Sequence, residues 1–285
     1  MPDICVGTVK PMILLHLAVV AAYALAAFAM WPAAVAPTGA AAPDAPPSIR
    51  RFAPGLLVLA LILHGIAVAN DIVSPDGLDL SIANAFSLVA GLAAGLAALS
   101  GLLTTLPVTV PIVLPVAAVA VLTPLFVDSP HRFAFSGAPW AAAHVAVALV
   151  AYSLFLVAAL QALVLMGLER RLHRRVPDPE AAALPSLLTL ERYMFRLVIA
   201  GFVLLSVTLV SGALFSEQVF GRPVTLTHKN IFSVAGWLTF AVLLWGRWRY
   251  GWRGRRALRW IVAGTALLFL AYLGYKFVLE VLLGR

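Results

Sequence analysis

The chain has 285 residues, 62% hydrophobic and 11% charged, with a mean hydropathy of +1.00 and a formal net charge of +8. Soluble domains hold about 25% charged and roughly 45–50% apolar residues, so a water-soluble fold would leave much of this apolar surplus without a place, whereas a bilayer accepts helices that are apolar on every side. The positive charge does not mark a nucleic-acid binder, because most of the arginines crowd into two short segments between apolar runs, the pattern of a membrane orientation signal.

Composition therefore predicts an all-α polytopic membrane bundle. At about 20 residues per span plus short loops, the length suits about eight transmembrane helices in a single membrane domain, residues 1–285. Cys5 is the only cysteine, so no internal disulfide, CxxC or CxxCH chemistry is expected, and no apolar run precedes it to suggest a lipid-modified cysteine.

In chain order, apolar runs predict the first span at about 11–31, followed by an Ala/Pro-rich stretch to Pro47. The second runs from Pro54 to about Val73, the third covers about 82–102, and a Pro-punctuated fourth covers about 106–127. The others fall at about 140–168, 194–215, 229–247 and 258–282. AAVAPTGAAA after the first span offers A-x-A sites like those of a cleaved signal peptide, but the apolar run is long and only Lys10 stands before it, so a retained helix is expected.

Fourteen of the twenty Lys and Arg residues lie in 168–196, in 247–259, or at Arg50 and Arg51. With eight spans these segments share one side. The positive-inside bias makes that side cytoplasmic and puts both termini on the outer face.

Polar groups at membrane depth are costly and mark sites by default. Of the six histidines, His16 and His64 lie within predicted spans, His144 near the outer start of the fifth and His228 at the outer start of the seventh. His131 falls in an outer loop, and His173 alone falls on the cytoplasmic side. At 1.5 Å per residue His144 is about 6 Å deep and His64 roughly 13 Å deep. Imidazole is the usual axial ligand for iron porphyrin where thiolate is absent. His64 and His144 are placed to supply such nitrogens, with His228 able to share the site of His144. Arg132, Lys229 or Lys276 would meet the propionates. The bland alternative for each histidine is a hydrogen bond to a neighbouring helix, and His16 is expected to be a packing residue.

Asp71, Asp76 and Asp79 read as hydrated charges of an outer loop rather than as a cation site. Gly91 and Gly95 form a GxxxG that implies close helix packing. Lys276 and Glu280 read as a snorkelling pair. No nucleotide loop, HExxH or nucleophile elbow is present, so no enzymatic activity is expected.

The segments HVAVALVAYSLFLVAALQALVLMGLERRL (144–172), ERYMFRLVIAGFVLLSVTLVSGALF (191–215), HKNIFSVAGWLTFAVLLWGRWRYGWRGRRALRW (228–260) and LAYLGYKFVLEVLL (270–283), in this order, resemble the cytochrome c assembly family of CcsA- and CcmC-like proteins. The YpjD inner-membrane branch is nearest, with HemX-like proteins close by. The resemblance covers about 55–283, and its GWRGRR and ERYMFR segments are the more specific parts. It implies a bacterial inner-membrane protein that binds or handles haem near the outer leaflet, with other cytochrome c maturation components as partners. It places His144 at the family's outward-facing haem histidine, His64 in a helix that carries a histidine in the YpjD-like branch, and His228 just before Lys229 where larger members end their tryptophan-rich loop. Three departures stand out. FGRPVTLTHK (220–229) has no Trp, the last span ends KFVLEVLLGR with no late histidine, and Trp245 stands where CcsA-like members carry a histidine. The resemblance thus extends to haem binding and stops short of haem transfer. The alternative reading is a transport-accessory or regulatory membrane protein that binds no haem.

Overall fold

A computed structural model describes residues 6–35, 47–74, 77–103, 109–127, 132–133, 139–173, 187–214 and 228–274. Among these are eight α-helices: α1 Val6–Val35, α2 Pro47–Ile72, α3 Ile82–Leu103, α4 Thr109–Ala120, α5 Pro139–His173, α6 Leu187–Leu214, α7 His228–Tyr250 and α8 Gly254–Phe269. A 3-10 turn (Thr123–Leu125) follows α4, and a π-helical turn (Leu270–Gly274) continues α8. Lipid offers no partner for backbone N–H and C=O groups, so the apolar runs satisfy them internally as helix. Among the described residues, six helices are long and apolar enough to cross a membrane: α1, α2, α3, α5, α6 and α7. The segment Thr109–Leu125 is apolar but shorter, and the expected eighth span continues past the described residues.

Several helices outrun the apolar spans. Helix α6 begins at Leu187 and α5 continues to His173, so Arg170 and Arg192, outside the expected spans, stand on helix rather than in loop. Leu, Glu and Arg favour helix, and hydropathy marks only the part of a helix that needs lipid. Helix α2 likewise starts at Pro47 and carries Pro54 inside it.

The chain divides into two compact units, Met1–Ala134 and Phe135–Arg285. In the first, α1 packs against α2 and α4, and α3 against α4 and α2. The contacts are built largely from alanine: Ala26, Ala60, Ala90, Ala94 and Ala117 are fully buried. Small side chains let backbones approach where apolar burial gives no advantage over lipid. Three very short strands, β1 (Val73–Ser74), β2 (Gly77–Asp79) and β3 (Arg132–Phe133), form an antiparallel sheet in that order, pairing Val73 with Leu78 and Asp79 with Arg132.

In the second unit α5 packs against α6 and α8, and α7 against α8 and α6. Phe155 and Phe240 stack at 4.1 Å between ring centroids. Gly201 makes room for Phe155 and Gly264 for Phe240, since a Cβ at either position would stand 3.1 or 2.9 Å from the ring. At one end Arg247 donates to Glu191 at 2.8 Å and lies 3.6 Å over the Phe195 ring, while Arg255 stands 3.7 Å from Glu169. The arginine-bearing segments at the α5–α6 and α7–α8 junctions therefore meet at the same end of this unit. Only 251–253 separate α7 from α8, and Gly251 and Gly254 take φ of 64° and 55°, left-handed values that side-chain-bearing residues adopt only at a cost.

Candidate functional site

Each unit contains a polar centre among apolar helices. That of the first unit is two rungs on α1, α2 and α3. In the upper rung His16 contacts the Met12 carbonyl through Nδ1 at 2.8 Å and Asp71 Oδ2 through Nε2 at 3.0 Å. Both partners are acceptors, so either both ring nitrogens or Asp71 must carry a proton. Seven residues along each helix, Tyr23 Oη meets His64 Nδ1 at 2.9 Å, and His64 Nε2 meets Ser87 Oγ at 3.1 Å. Gly91 lets α3 come up to the imidazole, for a Cβ there would stand 3.1–3.3 Å from three of its ring atoms. His64 is 2% exposed and both its nitrogens are engaged.

Two expectations change here. His16 is half of a buried hydrogen-bonded pair with Asp71, not a packing residue alone. Asp71 is not a hydrated loop charge: it lies in the last turn of α2 with its side chain 4% exposed against His16. Asp79 accepts from the Ser81 backbone N–H at 3.0 Å, and Ser81 Oγ accepts from the Asn84 N–H at 3.3 Å, so these two residues prepare the start of α3. Asn84 then donates to the carbonyls of Asp71 and Asp79. Asp76 lies outside the described residues, and no group of three or more metal-ligating side chains occurs among those described.

The centre of the second unit is built on His144, in the second turn of α5. Its Nδ1 lies 2.8 Å from Ser211 Oγ on α6. The Ser211 hydroxyl itself donates to the Thr208 carbonyl at 3.1 Å. A serine has one hydroxyl proton, so here Oγ must accept from His144 Nδ1–H. The neutral tautomer that fits this arrangement keeps its lone pair on Nε2, which no hydrogen bond engages among the described residues. Gly212 permits the approach, since a Cβ there would stand 3.2 Å from His144 Cε1. Two turns further along α5, Tyr152 faces Ser233 on α7 and meets the rings of Phe269 and Tyr272 edge-on at 6.0 and 6.3 Å. Lys229, at the start of α7, lies within electrostatic reach of His144 and 5.9 Å over the Tyr272 ring.

The structure thus brings His144 and Lys229 to one end of the unit. His228 is exposed beside Lys229. Lys276 and His131 lie outside the described residues, as do the side chains of Arg132 and His173. Residues the sequence did not single out complete the surroundings: Ser211, Gly212, Tyr152 and Ser233 here, Tyr23 and Ser87 in the first unit. Trp245 is more than half exposed, edge-on to Tyr250 at 5.5 Å.

The family model for cytochrome C assembly protein matches residues 19–283. The chain belongs to the cytochrome c assembly protein family. It is 30% identical over 236 residues to inner membrane protein YpjD of Escherichia coli K12, covering 82% of this chain and 88% of that one. To the cytochrome c biogenesis protein CcsA it is 31% identical over 92 residues in Gloeobacter violaceus, covering 32% of this chain and 27% of that protein. For CcsA of Synechococcus sp. CC9902 the identity is 27% over 156 residues, 47% of this chain and 51% of that protein. No solved structure matches the chain. The region matched to the cytochrome c assembly family holds His64, His144 and Lys229, while His16 precedes it.

Proposed function

We propose that this multi-pass membrane protein of the cytochrome c assembly family resides in the bacterial inner membrane and binds haem near the outer face, acting as a binding protein rather than an enzyme. The observation that carries the reading is His144: Ser211 holds its Nδ1 side and so orients the ring, and among the described residues no hydrogen bond engages its Nε2. A ligating histidine is characteristically oriented by a hydrogen bond on its other nitrogen. His228 is the candidate for a second nitrogen, and Lys229, with Lys276, for the propionates. His64 ranks below them, because ligation through it would require Tyr23 or Ser87 to withdraw. When bound, haem would supply redox-active iron. Membrane components of cytochrome c maturation are the fitting partners.

The test is a visible spectrum of the purified full-length protein with added haemin. A Soret band that is lost or reshaped in His144→Ala, partly restored by external imidazole and unchanged in His173→Ala, supports the reading. Protein that stays colourless, or an unaltered spectrum at full occupancy in His144→Ala, overturns it in favour of an accessory protein that binds no haem.

A further inference from the structure

Among the described residues, the arginine-rich end of the second unit carries more arginines than carboxylates. Among the described residues of this unit the carboxylates are Glu169 and Glu191, and each already faces an arginine, Arg255 and Arg247. Arg249, Arg253 and Arg256, clustered at the α7–α8 corner, are exposed and face no described carboxylate. Their surroundings are aromatic. Trp252 folds back on α7 at Gly246, where a Cβ would stand 2.5 Å from the indole. Arg256 lies 5.4 Å over the Trp252 ring and Arg249 5.6 Å over that of Tyr250. The seating of Trp252 on Gly246 thus carries Arg256 back toward α7, three residues short of Arg249.

Below this cluster, Leu238, Val242 and Trp245 are exposed on α7. With Arg249 they are spaced i, i+4, i+7 and i+11, one stripe of a helix. A cationic head above an exposed apolar stripe complements one kind of molecule: an amphiphile with an anionic head and a long apolar tail.

We propose that this face binds an anionic phospholipid, its phosphate held by Arg249, Arg253 and Arg256 and an acyl chain lying along Leu238, Val242 and Trp245. Guanidinium matches phosphate in charge and geometry. Exposed Trp248 and Tyr250 belong at headgroup depth, where aromatic side chains concentrate. A free phosphate would satisfy the arginines and leave the stripe unused, so the occupant is the lipid. The site is independent of His144 and of any bound haem.

The test is native mass spectrometry of the full-length protein in mild detergent, with phosphatidylglycerol, phosphatidylcholine and inorganic phosphate as probes. Phosphatidylglycerol should be retained in preference to phosphatidylcholine, and millimolar inorganic phosphate should fail to displace it. At about fivefold per arginine, the R249Q/R253Q/R256Q variant should lose on the order of a hundredfold in affinity, and R249K/R253K/R256K should keep most of it. Equal retention of the two lipids by the unaltered protein overturns the proposal, a result that does not depend on any variant folding. So does undiminished retention by the glutamine variant, or displacement of the lipid by inorganic phosphate.

Discussion

At the scale of single residues, the three intramembrane histidines differ in what their second nitrogen does. Among the described residues, His144 has one nitrogen held by Ser211 and no partner on the other, whereas His16 and His64 have both engaged. Ser211→Ala should therefore leave His144 in place but loosely aimed, lowering haem retention by about 10- to 100-fold, as loss of an orienting partner does at metal sites. An unchanged haem titration would mean the ring is held by something else. Tyr23→Phe should act differently. It strips a buried hydrogen bond from His64 and should cost about 0.6 to 1.7 kcal/mol in a membrane, read by reversible unfolding in detergent, with the haem spectrum untouched. A spectral change in that variant would bring His64 into the ligand set. His144 was legible in the sequence because an imidazole in an apolar run is conspicuous. Ser211 was not, because a serine in such a run reads as a small packing residue until the facing helix is known. Asp71 was misread for a related reason: the end of α2 decides whether it is loop or core, and hydropathy locates that end only to within a turn.

At the scale of helices, the GxxxG of α3 contains two glycines with different surroundings. A Cβ at Gly91 meets the His64 ring at 3.1 Å, while one at Gly95 meets nothing within 4 Å. Gly91→Ala should therefore destabilise, pushing the imidazole off Tyr23 and Ser87. Gly95→Ala should be neutral or stabilising by up to about 1 kcal/mol from helix propensity. Thermal unfolding of the two variants separates them, and equal effects would show that the motif acts only through backbone packing. The helices themselves were largely legible, because lipid imposes an apolar length on each. What hydropathy missed were their polar extensions, such as the start of α6 at Leu187, and the two- and three-residue strands, too short for any alternation to register.

For the molecule as a whole, the sequence argument from charge places both arginine-rich segments on the cytoplasmic side. Reporter fusions at Pro177 and Gly254 should read cytoplasmic and one at Gly221 external, and the reverse pattern would put the His144 end of the second unit on the cytoplasmic side. The surface carries a matching expectation for the proposed cofactor: neutralising Lys229 and Lys276 together should weaken haem retention more than neutralising Arg255 and Arg256, and equal retention would place the propionate contacts elsewhere. The corner at 251–253 bears on the helix beyond it. Each added residue turns a helix by about 100°, so the length of this short connection sets the rotational phase of α8 against α5 and α7. In its present phase Arg255 faces Glu169, Thr265 donates to the Phe155 carbonyl at 3.4 Å, and Gly264 receives Phe240. The corner is in that sense a timing device for the bundle: one inserted residue would put all three contacts out of step at once, although it touches none of them.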